Sequence, residues 1–318
     1  MIMSISILGI FVADLVFFGE KIPVEGETIL GKNFVIGPGG KGSNQAVAAA
    51  KAGSKTFFIS KIGDDQFGSM ATEIYENSGV DYSNVIISKD HSTGAAGILV
   101  NEGTGANAIN VFPGAAGAIT IEDIDKAEEA IKNSSIFLTQ LEAPKDVVTY
   151  ALKKAHNLNV KTILNPAPAA EIDESLFSMI DYFTPNETEA SFYVDHNVET
   201  HEDAEKAAIQ LLEKGIKNVV ITLGEKGAFF ANNDEKFSLP IANLSNPVVD
   251  TTGAGDAFNA GFAAALTEVK ILKMPLNLPV QQLVYQRRKL EQQIPCLLER
   301  KLINFYNYCI IESICNYF

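Results

Sequence analysis

Across residues 1–268, short apolar runs of strand type alternate with helical patterns, and this alternation constrains the fold more than any other feature. Ile5–Ile10, Thr56–Ile62, Ile136–Leu141, Lys161–Leu164, Tyr182–Thr184 and Asn218–Leu223 read as strands. Between them lie helical stretches: the small-residue run Gly42–Ala52 stopped by Gly53, then Phe67–Ser78, then Ala204–Lys214 stopped by Gly215. Strands joined through helices pair in parallel, and a parallel sheet needs cover on both faces. The expected class is therefore α/β, a mainly parallel sheet with helices on both faces. Two stretches, about 11–36 and 93–112, instead alternate with period two around Gly-rich turns and leave no room for a crossover helix. They are expected to form a small antiparallel β lid inserted into the body, over the carboxyl ends of the parallel strands.

The charge balance excludes several classes of partner. Lys and Arg number 25 against 39 Asp and Glu, a net of −14, and a field of that sign repels phosphate backbones and anionic lipid. Nucleic acid and membrane surfaces are therefore not expected partners. No run approaches 18 apolar residues and the first residues lack a basic segment, so a cytoplasmic location is expected. His91, His156, His196 and His201 show no ligand spacing, and a metal site built on them is not expected.

Composition breaks sharply after Glu268. Residues 1–268 hold all 24 Gly and every Ala, with no Arg and no Cys. Residues 269–318 hold no Gly or Ala, but all three Cys (Cys296, Cys309, Cys315) and all three Arg (Arg287, Arg288, Arg300). At the frequencies of the first part, fifty residues would carry roughly ten Gly and Ala together. The break falls inside a helical pattern with no linker. We read it as a one-base change of reading frame rather than a second domain. One base restored after codon 268, with AT-rich codons, returns an Ala-bearing helical sequence in the style of the first part. The organisation expected is a single α/β domain over 1–268 and an atypical tail over 269–318, whose Cys need no disulfide or metal.

Four segments carry chemistry. In Val249–Phe258 a turn of Asp, Thr and Gly opens into a helix expected over Asp256–Thr267, whose unpaired N–H groups face an anion. Asp256 in that first turn is placed to take a proton from a hydroxyl while the N–H groups stabilise charge on a phosphoryl group. Gly37–Gln45 is neither a Walker A loop, since Gly42 follows Lys41, nor a dinucleotide fingerprint. It sets bare backbone, one Lys and one Asn before a helix. In Thr184–Glu189, Asn186 and Glu189 stand three apart on one helical face, a spacing equally read as a capping box. Ile221–Gly227 runs a strand into a Gly turn.

Taken in order with Asn165–Pro168, these segments resemble the ribokinase-like (PfkB) family of sugar kinases over residues 1–268. The resemblance implies transfer of the ATP γ-phosphoryl to the 5-hydroxyl of D-ribose, giving ribose 5-phosphate. It implies Asp256 as general base and Gly253, Ala254 and Gly255 as anion hole. Asp14, Gly40, Lys41, Asn44, Glu142 and Asp256 match sugar-contacting positions. Asn186, Thr222, Gly224 and Gly255 match ATP-contacting ones. Glu189 matches the motif that organises Mg²⁺ indirectly, and Asp250 and Thr252 match a K⁺-binding loop. A homodimer through the β lid is implied as well.

Two departures from the family bear on function. Where the family usually reads Asn-Ala-Asp after the first strand, this chain reads Val12-Ala13-Asp14. An apolar wall there leaves a sugar hydroxyl unpaired, which favours a sugar lacking one, so 2-deoxyribose stands as the alternative to ribose. Residues 269–318 carry none of the family's closing segments, so an inactive sugar-binding protein is the second alternative.

Overall fold

A computed structural model describes residues 4–240 and 253–272. In chain order the elements are β1 Ser4–Leu8, β2 Val12–Gly19, β3 Asn33–Gly39, α1 Lys41–Lys51, β4 Lys55–Gly63, α2 Gln66–Ser78, β5 Asp81–Ser88, β6 Thr93–Asn101 and β7 Asn107–Gly114. They continue as α3 Ile121–Lys126, α4 Glu128–Lys132, β8 Ile136–Thr139, α5 Lys145–Asn157, β9 Lys161–Leu164, β10 Tyr182–Phe183 and α6 Glu187–Tyr193. The last are α7 His201–Glu213, β11 Asn218–Thr222, β12 Ala228–Asn232, β13 Lys236–Leu239 and α8 Ala254–Leu272.

The large sheet has the order β13-β12-β11-β10-β9-β8-β1-β4-β5. From β5 to β11 every pairing is parallel, while β12 and β13 add antiparallel at one edge. Successive strand residues enter opposite apolar cores, as a pleated strand requires. Leu8, Ile59, Phe137, Leu164 and Val219 join the core that contains residues of α3, α5 and α7. Ile7, Phe58, Leu138, Ile163 and Val220 join the one that contains residues of α1, α2 and α8. This is the two-sided cover expected of a parallel sheet.

The lid is a separate four-stranded sheet in the order β3-β2-β6-β7. Its strands start within the two stretches expected and overrun them, β3 to Gly39 and β7 to Gly114, and the sheet is not wholly antiparallel: β2 and β6 pair in parallel, Val12 against Gly94 through Gly19 against Asn101. The reason is topological. The two hairpins β2–β3 and β6–β7 meet along their first strands, and both first strands leave the body in the same direction.

Three further differences from the sequence reading have local causes. Helix α7 begins three residues earlier than the apolar pattern, because Thr200 and Asp203 form a reciprocal capping box ahead of it. Strand β5 and the β12–β13 hairpin were not anticipated. Helix α8 begins at Ala254, two residues before the expected start, since Gly253 at φ +75° turns the chain directly into it.

Candidate active site

The segments singled out by sequence gather at the carboxyl ends of the parallel strands. Gly9 to Phe11 leave β1 for the lid, Gln140 and Glu142 follow β8, and Asn165 follows β9. Thr184 and Asn186 follow β10, while Thr222 ends β11. Helices α1 and α8 pack against each other across the same end of the sheet. A close crossing brings α1 there. A Cβ on Gly9 would lie 2.5 Å from the Gly42 Cα, and Gly40, at φ +92°, passes the Ile10 carbonyl just as closely. Only glycine backbone allows the loop before α1 to sit so low on β1.

Asp256 lies in the first turn of α8 and is 8% exposed. Its carboxylate accepts from Asn44 Nδ2 at 2.9 Å and from Gln45 Nε2 at 3.1 Å. Burial pushes its pKa up, while the Lys41 ammonium and the two amides oppose that shift. Gly255 beside it is exposed, and Ala254 and Gly255 sit where a helix has no carbonyl to receive its N–H groups. A buried carboxylate thus stands next to a positive helix end open to solvent.

Two more carboxylates face this point. Glu142 accepts from the Lys41 N–H at 2.8 Å, and burial, with the charges of Asp256 and Asp14 adding, pushes it up to about 7 against the pull of Lys41. Asp14, on β2 of the lid, is pushed up to about 6 by burial. Its carboxylate lies so close to Gly39 that a Cβ there would come within 2.3 Å of it. Asp14, Gly40, Lys41, Asn44, Glu142 and Asp256 are therefore brought into one cluster. Val12 is buried at the start of β2, within the apolar core rather than among polar groups.

On the other side, Asn186 and Glu189 form a full capping box at the start of α6. Glu189 N donates to Asn186 Oδ1 at 2.7 Å, and Asn186 N donates to Glu189 Oε2 at 2.9 Å. The structural reading of that spacing holds, and it coexists with a place in the site. Burial pushes Glu189 up, the Lys41 ammonium opposes, and Asp256 lies near enough to add to the rise. Thr222 N donates to Pro185 O at 3.0 Å, and Asn186 bridges to Thr222, so the β11 end and the α6 start form one ledge. Gly224 turns at φ +50° beside Glu187. Asp250 and Thr252, matched to the K⁺ loop, lie outside the described residues, as does nearly all of the 269–318 tail.

Among the described residues no group of three or more His, Cys, Asp or Glu is built to hold a metal ion. A Mg²⁺ ion of the kind carried by nucleotide phosphates and water needs only one or two nearby carboxylates. Glu189, whose Oε2 serves the capping box, fits that requirement. Sequence reasoning gave no role to Gln45, Gln140, Asn165, Thr184 or Asn259, which form a buried amide and hydroxyl chain behind Asp256. Three of them stood inside the recognised motifs; Gln140 and Asn259 carried no local signal.

Known proteins are similar to this chain over most of its length. The profile of the pfkB family carbohydrate kinases matches residues 3–282. A deoxyribokinase of Salmonella typhi is 38% identical over 262 residues, 82% of this chain and 85% of that one. A ribokinase of Haemophilus influenzae is 39% identical over 267 residues, covering 84% and 86%. Among solved structures, the Arabidopsis thaliana ribokinase complexed with ribose and ATP superposes with a TM-score of 0.79 at 32% identity, covering 84% of this chain and 87% of that one. The chain belongs to the pfkB family of carbohydrate kinases and is an ATP-dependent sugar kinase.

Proposed function

We propose that this kinase transfers the ATP γ-phosphoryl to the 5-hydroxyl of D-ribose. The observation that carries the reading is Asp256: a buried, hydrogen-bonded carboxylate in the first turn of α8, next to the open helix start at Gly253–Gly255. In this reading Asp256 accepts the hydroxyl proton, and its upward-shifted pKa brings it nearer the operating pH of a general base. The N–H groups at Gly253, Ala254 and Gly255 stabilise charge on the transferred phosphoryl. Asp14, Glu142 and Asn44 take the sugar hydroxyls, with Gly40 and Lys41 framing them. Asn186, Thr222, Gly224 and Gly255 line the nucleotide side. Mg²⁺, when bound, neutralises phosphate charge near Glu189, and K⁺ is assigned to Asp250 and Thr252 by their sequence. Phosphoryl transfer asks for little else from the protein than position and field.

The second reading is 2-deoxyribose, favoured by the buried apolar Val12 and by likeness to a deoxyribokinase. A second copy of the chain is the partner proposed for the lid, where Phe17, Phe34, Ile36, Ile109 and Phe112 stay exposed. Sedimentation at micromolar concentration is expected to give a dimer, and a monomer there removes that proposal. We assign the protein to the cytoplasm.

The test of function is ADP release by the purified chain with ATP, Mg²⁺, K⁺ and either sugar. Faster turnover on ribose supports the first reading, and faster turnover on 2-deoxyribose replaces it with the second. No turnover on either overturns both for this chain. The same assay with one base restored after codon 268 then separates an inactive tail variant from a wrong substrate.

A further inference from the structure

The polarity of the buried chain behind Asp256 can be assigned from one fixed point. The Thr184 carbonyl only accepts, so Asn165 must present its NH₂ there, at 3.0 Å. Asn165 Oδ1 then faces Gln45, which presents its own NH₂ at 3.1 Å. The same Gln45 nitrogen reaches Asp256 Oδ1, so both of its hydrogens are used. Gln45 Oε1 is left to accept from Gln140 Nε2 at 2.6 Å. The chain ends at Gln140 Oε1, a buried acceptor with no partner among the described residues, wedged against the Gly9–Gly42 crossing. The other direction is equally determined. Asn259 Nδ2 donates to Gly255 O at 2.9 Å, so its Oδ1 accepts from Thr184 Oγ1 at 2.5 Å. The links form a closed circuit from Asp256 through Gln45, Asn165, Thr184 and Asn259 to Gly255, the residue before Asp256.

The one amide of this circuit that meets Asp256, that of Gln45, is oriented by its other partners so that a donor, not an acceptor, faces the carboxylate. Gln45 is fully buried and cannot touch a ligand. We propose that Gln45 is a positioning residue that holds Asp256 as an oriented carboxylate and, through Asn165, Thr184 and Asn259, locks that carboxylate to the Gly255 end of the helix start. The inference rests on Asp256 being the base of the proposed reaction. A protonated Asp256 would lose one acceptor position to a circuit that offers only donors, so the circuit favours the ionised form. The orphaned Gln140 acceptor is the cost of keeping the polarity one-way. Charged groups that face Asp256 from neighbouring elements are Lys41 of α1, Glu142 after β8 and Glu189 of α6. None belongs to the circuit, so they remain in place when it is cut.

Two variants test this. Gln45→Met removes both donors at similar volume. Gln45→Glu keeps the shape and the bond from Gln140 but, when ionised, offers Asp256 no donor. The Asp256 carboxyl is followed directly by carbon NMR, with Asp256→Asn supplying the assignment, so the readout does not need turnover. The expected result is an Asp256 titration about one pH unit higher in Gln45→Met, the tenfold effect of one hydrogen bond to a charged group, and higher still in Gln45→Glu. In the ADP assay kcat is expected to fall about tenfold, with sugar affinity by calorimetry unchanged. An unshifted Asp256 titration in either folded variant overturns the proposal, as does a loss of sugar affinity equal to the loss of kcat. If Gln45→Met fails to fold, the isosteric Gln45→Glu decides alone. Asp256→Asn separates the two readings. Wild-type turnover there removes Asp256 as base, whereas an inactive Asp256→Asn beside unshifted Gln45 variants removes only the circuit.

Discussion

The body and the lid are both β-sheets, but they are held in different ways. The nine-stranded sheet lies between two apolar cores, and its inner strands β1, β8 and β9 are buried on both faces, with only the edge strands β5 and β13 open. The lid carries apolar rows across its register, Val35–Val16–Ile98–Ile109 and Phe34–Phe17–Leu99–Ala108, with several members about half exposed. The polar groups differ in the same sense. The body encloses Asp256 and its amide circuit, where low dielectric strengthens each hydrogen bond. The lid delivers Asp14 to the site, on β2, with Val12 two residues before it on the same strand. We read the difference as a division of labour, with the body carrying the transfer and the lid deciding which sugar is held.

Removing Asp256, the proposed base, breaks this division most severely. Asp256→Asn keeps the volume and the neighbours but cannot take the proton, and kcat is expected to fall about 10³-fold, within the range typical of a lost general base. Sugar binding, measured by calorimetry without ATP, is expected to stay within a few-fold of wild type. Comparable turnover in the variant would place the chemistry elsewhere.

Tolerance to a single methyl group separates the sheets next. A Cβ on Gly9 would meet Gly42 Cα and Gln140 Oε1 at 2.5 Å, so Gly9→Ala must push α1 off β1. Overpacking of that kind costs about 2 kcal/mol and lowers the thermal midpoint by several degrees. Gly97 on β6 of the lid has nothing within 4 Å of a built Cβ. Gly97→Ala is expected to leave the midpoint unchanged or slightly raised, since alanine loses less backbone freedom on folding. Equal losses in the two variants would mean that the lid is packed as tightly as the body.

How much of this the sequence revealed depended on whether a signal was local. Strand β9 and helix α2 were legible because apolar period and stop residues coincide in one window. The lid strands were legible as β but not their parallel pairing, because β2–β6 contact is made across some eighty residues of chain and leaves no local trace. Strand β5 was missed because Asp81, Ser83 and Asn84 dilute its apolar residues, and the β12–β13 hairpin because β13 is only four residues long, with Lys236 and Ser238 among them. In the site, the motif residues were found as glycines, Lys and carboxylates. The amide circuit was not, since Gln140 and Asn259 become informative only when burial shows that they have no water to bond.

Acidity probes the two walls together. Glu142 belongs to the body and Asp14 to the lid, with pKa values pushed up to about 7 and about 6 by burial. In the proposed site each accepts sugar hydroxyls best when ionised. As pH falls from 8 to 6, protonation of Glu142 and then Asp14 is expected to raise the sugar KM about tenfold, with the ATP KM little changed. Glu142→Gln is expected to flatten the upper part of that dependence and leave a single step near 6 from Asp14. A sugar KM constant over this range would mean that neither carboxylate meets the sugar.

The smallest expected effect reads the lid alone. Val12 lies two residues before Asp14 on β2, so both side chains leave the strand on the same face. On the 2-deoxyribose reading proposed above, Val12→Asn offers a partner to a hydroxyl that valine leaves unpaired, and so removes a penalty of one missing hydrogen bond on ribose. The ratio of kcat/KM for ribose to that for 2-deoxyribose is expected to rise about fivefold, consistent with about 1 kcal/mol for a neutral hydrogen bond. Because Val12 also sits in the apolar core, the new amide costs some stability, which a thermal midpoint measures separately. A change in kcat common to both sugars, with the ratio fixed, would show that β2 acts on the transfer itself and that the division between lid and body does not hold.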